Sequence, residues 1–215
     1  MTQEQARLTG DDGRVLLDYL VATPPDDVDR PWPLLLFLHG AGERGRDLRL
    51  VAKHGPPAEA ASGWTRPFLL ISPQCPAGER WTDHLEDLSR LIDEMERVHP
   101  VDPERIYLTG LSMGGAGTWA FAAGQPGRFA AAVPVCGRGD RTRGADYGDL
   151  PVWAFHGADD TTVPTQCSRQ VAEAIEAAGG DVRLTIYEGV GHDSWTRAYA
   201  TPELWAWLLE HRRSR

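Results

Sequence analysis

The sequence places a serine between two glycines, in the pattern Gly110-Leu111-Ser112-Met113-Gly114. A short apolar run, residues 106–111, precedes the serine, and a helical pattern, residues 113–123, follows it. A serine on a tight strand-to-helix turn projects its hydroxyl into a cleft, and glycines two residues away on either side avoid a steric clash. The first N–H groups of the helix also favour negative charge there. The pattern predicts that Ser112 is a nucleophile.

A serine of this kind needs a base, which is expected to follow the acid in chain order. The histidines after the serine are His156, His192 and His211. His156 ends a predicted strand, and His211 lies in the basic C-terminal tail. We predict that His192 is the base, because it lies in the glycine-rich segment 189–193, from which a mobile imidazole can reach back to the serine.

The acid is expected after the predicted strand at residues 152–156, where Asp159 and Asp160 compete. Spacing alone does not separate these two residues. We favour Asp160 as the partner of His192 and Asp159 as a plain turn residue. A buried carboxylate that is hydrogen-bonded to the imidazole fixes its tautomer and stabilises the imidazolium that forms during attack.

A second loop must offer a backbone N–H group to the oxyanion that develops during attack. The predicted strand at residues 34–39 runs into His39-Gly40-Ala41-Gly42, and we predict the N–H groups of Ala41 and Met113 as the donor pair. His39 is expected to hold this loop. The segment also fits the G-x-G-x-x-G pattern of dinucleotide sites, but it does not open a helix that reaches a second strand ending in an acid, so this alternative is rejected.

The elements that would position these residues alternate between two kinds. Apolar runs typical of strands buried on both faces of a parallel sheet lie at residues 15–21, 34–39, 68–72, 106–111, 130–135, 152–156 and 182–187. Helical patterns lie at residues 83–98, 113–123, 166–178 and from 201 onward, the first with Asp83 and Glu86 as a capping pair. Proline-rich residues 24–33 and 55–57 are interpreted as loops. The alternation predicts an α/β fold with a mostly parallel central sheet, helices on both faces and a single domain over residues 1–215.

Composition and charge exclude several classes of protein. The chain has 215 residues, 41% of them hydrophobic, and a net charge of -9, which argues against nucleic acid or an anionic membrane as the main partner. No apolar run approaches the ~20 residues that cross a bilayer, and no secretory signal is visible, so a cytoplasmic location is expected. The three cysteines are widely spaced and odd in number, so neither a disulfide framework nor a zinc site is predicted, and no metal is expected.

The connection after the predicted strand at residues 130–135 bears on the shape of the substrate cleft. This connection, residues 137–150, is short, polar and rich in arginine. We therefore expect a small or absent cap and an open cleft, which suits modest acyl esters or thioesters better than long lipids.

A few further residues are candidates for contact with a substrate. Trp195 lies three residues after the predicted base, and Trp81 and Gly42 are additional candidates. Core packing is the alternative for either tryptophan. Glu43 and Arg44, beside the predicted oxyanion loop, could bind a polar end of a substrate, although surface solvation is the simpler interpretation.

Three segments together resemble the phospholipase/carboxylesterase-like branch of the α/β-hydrolases, and within it the prolyl-oligopeptidase-like esterases and predicted peptidases: LSMGGAGTWAFAAGQPGRFAAAVPVCG, HGADDTTVP and GVGHDSW. The similarity extends over residues 34–209. It implies an α/β-hydrolase fold, with Ser112 as nucleophile, Asp160 as acid, His192 as base and the His39-Gly40 loop in the oxyanion hole. Peptidase relatives carry an additional propeller domain, which this chain has no room for, so small-ester hydrolysis is expected rather than peptide hydrolysis.

The predicted function is that of a serine hydrolase that cleaves carboxylic esters of small to medium acyl groups through an acyl-enzyme intermediate. A small-molecule ester is the expected partner, and no cofactor is required by this chemistry. Two alternatives stay open. The same residues could hydrolyse thioesters or amides, or the chain could be a non-catalytic binding protein built on a hydrolase fold.

Overall fold

The structure, a computed structural model, describes residues 3–213. Within this range the strands form one eight-stranded sheet in the order β1-β2-β4-β3-β5-β6-β7-β8. The strands are β1 Glu4–Thr9, β2 Val15–Ala22, β3 Trp32–Leu38, β4 Leu69–Gln74, β5 Val101–Leu111, β6 Ala131–Val135, β7 Val152–Gly157 and β8 Val182–Tyr187. The β1–β2 and β2–β4 pairs are antiparallel, and every other neighbouring pair is parallel.

The connections between the strands are helical. The α-helices within the described residues are α1 Gly55–Gly63, α2 Leu85–Val98, α3 Met113–Gly124, α4 Gln166–Ala177, α5 Trp195–Tyr199 and α6 Pro202–Glu210. Short 3-10 helices span Ala41–Glu43, Leu48–Lys53, Trp81–Asp83, Pro126–Arg128 and Arg141–Tyr147. Between residues 3 and 213, none of these helices combines the length and the apolar composition that a bilayer crossing requires.

Strand β3 shows how the sheet is buried on both faces. Successive side chains of a strand point to opposite faces. Leu34, Leu36 and Leu38 therefore pack in a core with residues of α2, α3 and α4. Leu35 and Phe37 pack on the other face in a second core with residues of α1, α5 and α6. This arrangement confirms the predicted α/β-hydrolase architecture, with a mostly parallel central sheet and helices on both faces.

The parallel strands bring four loops to one edge of the sheet. Strands β3, β5, β6, β7 and β8 are consecutive neighbours, and all run in the same direction. Their carboxyl ends therefore lie along one edge, which is where open α/β sheets bind ligands. The segments that carry Ala41, Ser112, Asp160 and His192 each follow one of these strands.

Several sequence-based expectations about the elements were wrong. Strand β1 was not anticipated, because it is a polar edge strand in which only Leu8 is buried. Residues 55–57 do not form a loop but begin α1, since Pro56 and Pro57 fit the first turn of a helix, where their missing N–H groups are not needed. The prolines at this position start a helix, where the sequence predicts a loop.

The predicted capping pair of α2 was also wrong. The helix begins at Leu85, so Asp83 and Glu86 do not face each other across its first turn. The Asp83 carboxylate instead accepts a hydrogen bond from the backbone N–H of Arg80, at 2.9 Å, and closes the short helix Trp81–Asp83. The acidic residue does cap a helix, but it is the preceding one.

Helix α3 lies unusually close to the sheet. A Cβ atom on Gly114 would lie 1.8 Å from the carbonyl oxygen of Leu38, and one on Gly115 would lie 2.3 Å from the carbonyl oxygen of Val135. Real Cβ atoms do not approach backbone atoms this closely. Glycine at these positions therefore allows the N-terminus of α3, and with it Ser112, to sit directly on the ends of β3 and β6.

We expect Gly114→Ala to lower the free energy of unfolding by more than about 3 kcal/mol, because the clash is with backbone atoms that cannot move aside. Gly124→Ala is the matched control at the end of the same helix, where a Cβ would meet no atom within 4 Å. This control should change stability by less than about 1 kcal/mol. Urea unfolding followed by tryptophan fluorescence measures both. Equal stability of the two variants would contradict the close approach.

Candidate active site

Ser112 lies on the turn between β5 and α3 with an unusual backbone conformation, φ 53° and ψ -112°. Its N–H group donates to the carbonyl oxygen of Val135 at 2.9 Å, and its carbonyl oxygen accepts from the N–H group of Ala116 at the same distance. These bonds hold the backbone in a region that costs a residue with a side chain about 1–3 kcal/mol. The backbone therefore has the strained strand-to-helix turn that the glycine spacing predicts.

The structure brings the three predicted catalytic side chains into one hydrogen-bonded row. The Ser112 Oγ atom lies 2.9 Å from His192 Nε2, and His192 Nδ1 lies 2.7 Å from Asp160 Oδ2. An ionised carboxylate only accepts hydrogen bonds, so Nδ1 carries the proton. Nε2 of the neutral ring is then free to accept the serine proton. The catalytic roles of these residues stay predictions.

The structure separates Asp160 from its neighbour. The Asp160 side chain is fully buried, whereas Asp159 is exposed. Asp160 Oδ1 accepts from the N–H groups of Thr162 and Val163, at 2.8 and 2.9 Å. Burial raises the pKa of Asp160, but the hydrogen bonds from His192, Val163 and Thr162 outweigh it, so the pKa lies below its ordinary value. The buried carboxylate therefore stays ionised.

The loop after β3 is held by His39, as expected. His39 Nε2 accepts a hydrogen bond from the Cys75 N–H group at 3.0 Å, so Nδ1 carries the proton and donates to the carbonyl oxygen of Gly40 at 2.6 Å. Burial lowers the pKa of His39 to about 4, so the ring is neutral. Ala41 and Met113, the predicted oxyanion donors, each begin a helix and line the cleft beside Ser112. The first N–H groups of a helix have no acceptor within it.

A cleft of about 640 Å³ opens beside Ser112. Its apolar wall includes Met113, Trp119 and Tyr147. The Trp119 and Tyr147 rings meet edge to face. The segment at residues 137–150 forms only the short helix Arg141–Tyr147, which packs against α4. This segment is the small cap that the sequence predicts.

The three candidate substrate contacts lie at different places relative to the cleft. Trp81 lines the cleft, but it is fully buried and its Nε1–H donates to the carbonyl oxygen of His39 at 2.9 Å. Trp195 packs edge-on against the His192 ring at 5.5 Å and lines a neighbouring groove with His54 rather than this cleft. Gly42 is exposed and outside the lining. Contacts of Trp195 and Gly42 with a substrate in this cleft are therefore not supported.

The basic character of the cleft was not predicted from the sequence. Four arginines and one aspartate are among the described residues that line it: Arg44, Arg80, Arg138, Arg143 and Asp140. They come from three separate segments, and their convergence depends on the fold. The arginine-rich composition of residues 137–150 was the available signal, but composition alone does not show which side chains face a cleft.

One group of side chains has the spacing of a metal site. Ligand atoms of Cys136, Asp160 and His192 lie within 4.8 Å of one another. Burial raises the pKa of the Cys136 thiol to about 12, so the sulfur keeps its proton. The facing atoms of Asp160 and His192 are hydrogen-bonded to each other. A protonated thiol and an engaged pair are poor metal ligands, and the chemistry of the row needs no metal.

Comparison with solved structures defines the class of fold. A crystal structure of a thermostable esterase covers 98% of this chain with a TM-score of 0.86 and 33% sequence identity, and this chain covers 63% of that one. The acylaminoacyl peptidase of Pyrococcus horikoshii covers 100% of this chain with a TM-score of 0.75, and this chain covers 43% of it; at 16% identity it shows the fold alone. The fold is that of the α/β-hydrolases, as the sequence motifs predict.

Comparison of sequences specifies the family. The model of the Dienelactone hydrolase family matches residues 77–201, more than half of the chain. A Yersinia pestis protein described as a carboxymethylenebutenolidase is 31% identical over 78% of this chain and 70% of its own length. The chain therefore belongs to the Dienelactone hydrolase family. Poly(3-hydroxyalkanoate) depolymerase C of Paucimonas lemoignei is 26% identical over 79% of this chain, which spans 51% of the depolymerase.

We expect Ser112→Gly to be more stable than Ser112→Ala by about 1 kcal/mol, because glycine adopts a positive φ without strain. Ser89, in the middle of α2, is the control position, and there the alanine variant should be the more stable by about 1 kcal/mol. Urea unfolding of all four variants measures both differences. The same order at both positions would show that the Ser112 turn is not strained.

Proposed function

We propose that this chain is a serine hydrolase that cleaves carboxylic esters of small to medium acyl groups. The observation that carries the proposal is the row from Ser112 through His192 to Asp160, with links of 2.9 and 2.7 Å, at the edge of an open cleft. Relatives named as esterase and depolymerase support ester hydrolysis. We take the chain to act as one domain, because a single sheet supports every member of the row.

The proposed reaction has two halves. His192 Nε2 takes the proton of Ser112 as Oγ attacks the ester carbonyl carbon, and the imidazolium that results is stabilised by Asp160. His192 then donates this proton to the leaving alcohol oxygen as the carbon–oxygen bond breaks, which leaves an acyl group on Ser112. A water molecule, deprotonated by His192, attacks the acyl-enzyme, and the proton returns to Ser112 as the carboxylic acid leaves.

The oxyanion formed in each half is assigned to the N–H groups of Ala41 and Met113. Both residues line the cleft beside Ser112, and both stand at the first position of a helix. Each donor of this type contributes roughly 10²–10³ in rate. His39 supports the assignment, because its two hydrogen bonds tie Gly40 and Cys75 together and so fix the loop before Ala41.

We expect Asp160→Asn to lower kcat by roughly 10⁴, because an amide can present its N–H₂ group to His192 Nδ1 and so favour the wrong tautomer. Asp159→Asn is the matched control and should keep kcat within about 2-fold, since its side chain is exposed. Hydrolysis of p-nitrophenyl butyrate measures both. A fluorophosphonate probe should label the wild type and both asparagine variants more than Ser112→Ala.

The control outcomes distinguish the alternatives. Wild-type protein that neither labels nor hydrolyses esters would point to the non-catalytic binding protein. A larger loss of kcat in Asp159→Asn than in Asp160→Asn would show that Asp159 is the acid that partners His192. Matched thioester and amide substrates in the same assay separate the other activities that the same residues could support.

We further propose that the preferred substrate carries an anionic group. The lining of the cleft is basic on a chain whose net charge is -9. The Arg44 guanidinium donates to the carbonyl oxygens of Ala41 and Glu79, at 2.9 and 3.2 Å. These groups fix its position but carry no net charge, so they do not neutralise it. Arg80 and Arg138 are exposed at the rim. A relative described as a carboxymethylenebutenolidase, whose name includes a carboxyl group, agrees with this charge.

We expect the double variant Arg80→Gln/Arg138→Gln to raise KM for the p-nitrophenyl monoester of adipic acid roughly 3- to 10-fold, because each exposed ion pair contributes modestly. KM for p-nitrophenyl heptanoate, which has a similar length and no charge, should stay within about 2-fold. Added salt should weaken the preference of the wild type for the adipate ester.

The control for net charge is Arg97→Gln. Arg97 pairs with Glu94 on the exposed side of α2, away from the cleft lining. This variant should keep the wild-type ratio of the two KM values. A wild type that prefers the neutral ester would contradict an anionic substrate. So would an equal rise of KM for the two esters in the double variant.

A further inference from the structure

A second imidazole, that of His156, lies close to the carboxylate of Asp160. His156 lies on β7, and its side chain is fully buried. Its Nε2 atom is 2.8 Å from the carbonyl oxygen of Val163 and 3.2 Å from Asp160 Oδ2. Asp160 Oδ2 is also the atom that accepts from His192 Nδ1 at 2.7 Å. One carboxylate oxygen is therefore shared by two imidazole rings.

The hydrogen bonds of His156 define where its proton lies. A carbonyl oxygen only accepts hydrogen bonds, so Nε2 carries the proton and donates it to Val163, with Asp160 Oδ2 3.2 Å away. Burial lowers the pKa of His156, so the ring is neutral and Nδ1 is an acceptor. The hydroxyl of Ser168, on α4 and buried, lies 2.7 Å from Nδ1 and therefore donates to it. The direction of every hydrogen bond in this chain of groups is determined.

Val163 is held from both sides by this arrangement. Its carbonyl oxygen accepts from His156, and its N–H group donates to Asp160 Oδ1 at 2.9 Å. The turn that binds one oxygen of the carboxylate is thus tied to the ring that contacts the other oxygen. Both oxygens of Asp160 have their positions set by groups other than His192, so the carboxylate cannot rotate away from the imidazole without breaking several bonds.

We propose that His156 is a positioning residue, which orients the Asp160 carboxylate toward His192 by donating to Oδ2 and by anchoring Val163. The inference rests on the proposed function of Asp160 as the acid of the row. His156 is not itself among the residues that line the cleft, although it contacts Val163, which is. Ser168 supports the role, because its hydroxyl fixes the tautomer that the role requires.

The ionisable groups that face the shared oxygen, among the described residues, have assigned protonation states. The His192 ring donates to it, His156 Nε2 lies 3.2 Å from it, and the Cys136 sulfur lies within 4.8 Å of the ligand atoms of Asp160 and His192. The thiol of Cys136 is protonated at neutral pH, because burial raises its pKa to about 12. His156 itself is neutral. A change at residue 156 therefore removes a hydrogen-bond donor from Asp160 without removing a charge.

The test compares His156→Leu with His156→Gln, in which the amide N–H₂ group can replace the Nε2–H donor. We expect His156→Leu to lower kcat roughly 10- to 100-fold per fluorophosphonate-labelled site, with KM within about 2-fold, because a hydrogen bond to a charged group is lost. His156→Gln should recover kcat to within about 3-fold of wild type. Phe155→Leu, a neighbouring buried change on β7, controls for loss of packing and should keep kcat per labelled site.

A double-mutant cycle separates positioning from general damage. If His156 acts through Asp160, then His156→Leu should cost less than about 2-fold in the Asp160→Asn background. An equal loss of kcat in the wild-type and Asp160→Asn backgrounds would overturn the proposal. So would a wild-type kcat in folded His156→Leu. If His156→Leu does not fold, Ser168→Ala takes its place in the cycle, with an expected loss of roughly 2- to 10-fold.

A measurement without substrate keeps this inference distinct from the proposed function. The proton on His192 Nδ1 should give a downfield imidazole resonance in the ¹H NMR spectrum of the wild type, absent in His192→Gln. We expect this resonance to shift or broaden in His156→Leu and to be retained in His156→Gln. An unchanged resonance in folded His156→Leu overturns the positioning role. A wild type that has the resonance but hydrolyses no ester contradicts the proposed function instead.

Discussion

The buried charge of Asp160 is the constraint on which the rest of the site depends. A carboxylate removed from water is costly unless hydrogen bonds replace its hydration. Here Thr162 and Val163 donate to one oxygen, and His192 and His156 contact the other. Satisfying this charge requires the turn after β7, the loop after β8 and the ring on β7 to hold fixed relative positions. The same requirement aims the unprotonated nitrogen of His192 at the nucleophile.

The second constraint is steric. The N-terminus of α3 can lie on the strand ends only because Gly114 and Gly115 have no side chain, and this closeness places Ser112 within 2.9 Å of His192 Nε2. Backbone strain at Ser112 is stabilised by hydrogen bonds to Val135 and Ala116. Strained turns persist where the surroundings over-determine them, and such positions cluster at active sites. His192 depends on both constraints, because its ring contacts Asp160 on one side and Ser112 on the other.

Local patterns predicted much of this arrangement, because they depend on short-range geometry. The turn at Ser112 could be found from the spacing of its glycines, and β8 was predicted with the bounds that the structure has. Strand β1 could not be found, since an exposed edge strand needs no apolar run. The choice between Asp159 and Asp160 was open because adjacent residues differ only in the direction of their side chains, which tertiary structure decides. The basic cleft and the contact of His156 with Asp160 are likewise products of distant segments that the fold brings together.

The most direct measurement of the central claim is to trap the covalent intermediate. A single turnover of a slowly deacylating p-nitrophenyl ester would be stopped with acid within the first turnover, and the protein digested with trypsin. The peptide from residues 106–128, which contains Ser112, should carry the mass of the acyl group, and fragmentation should locate that mass on Ser112. Release of one equivalent of p-nitrophenol with the acyl group on another residue, such as Cys136, would contradict the account.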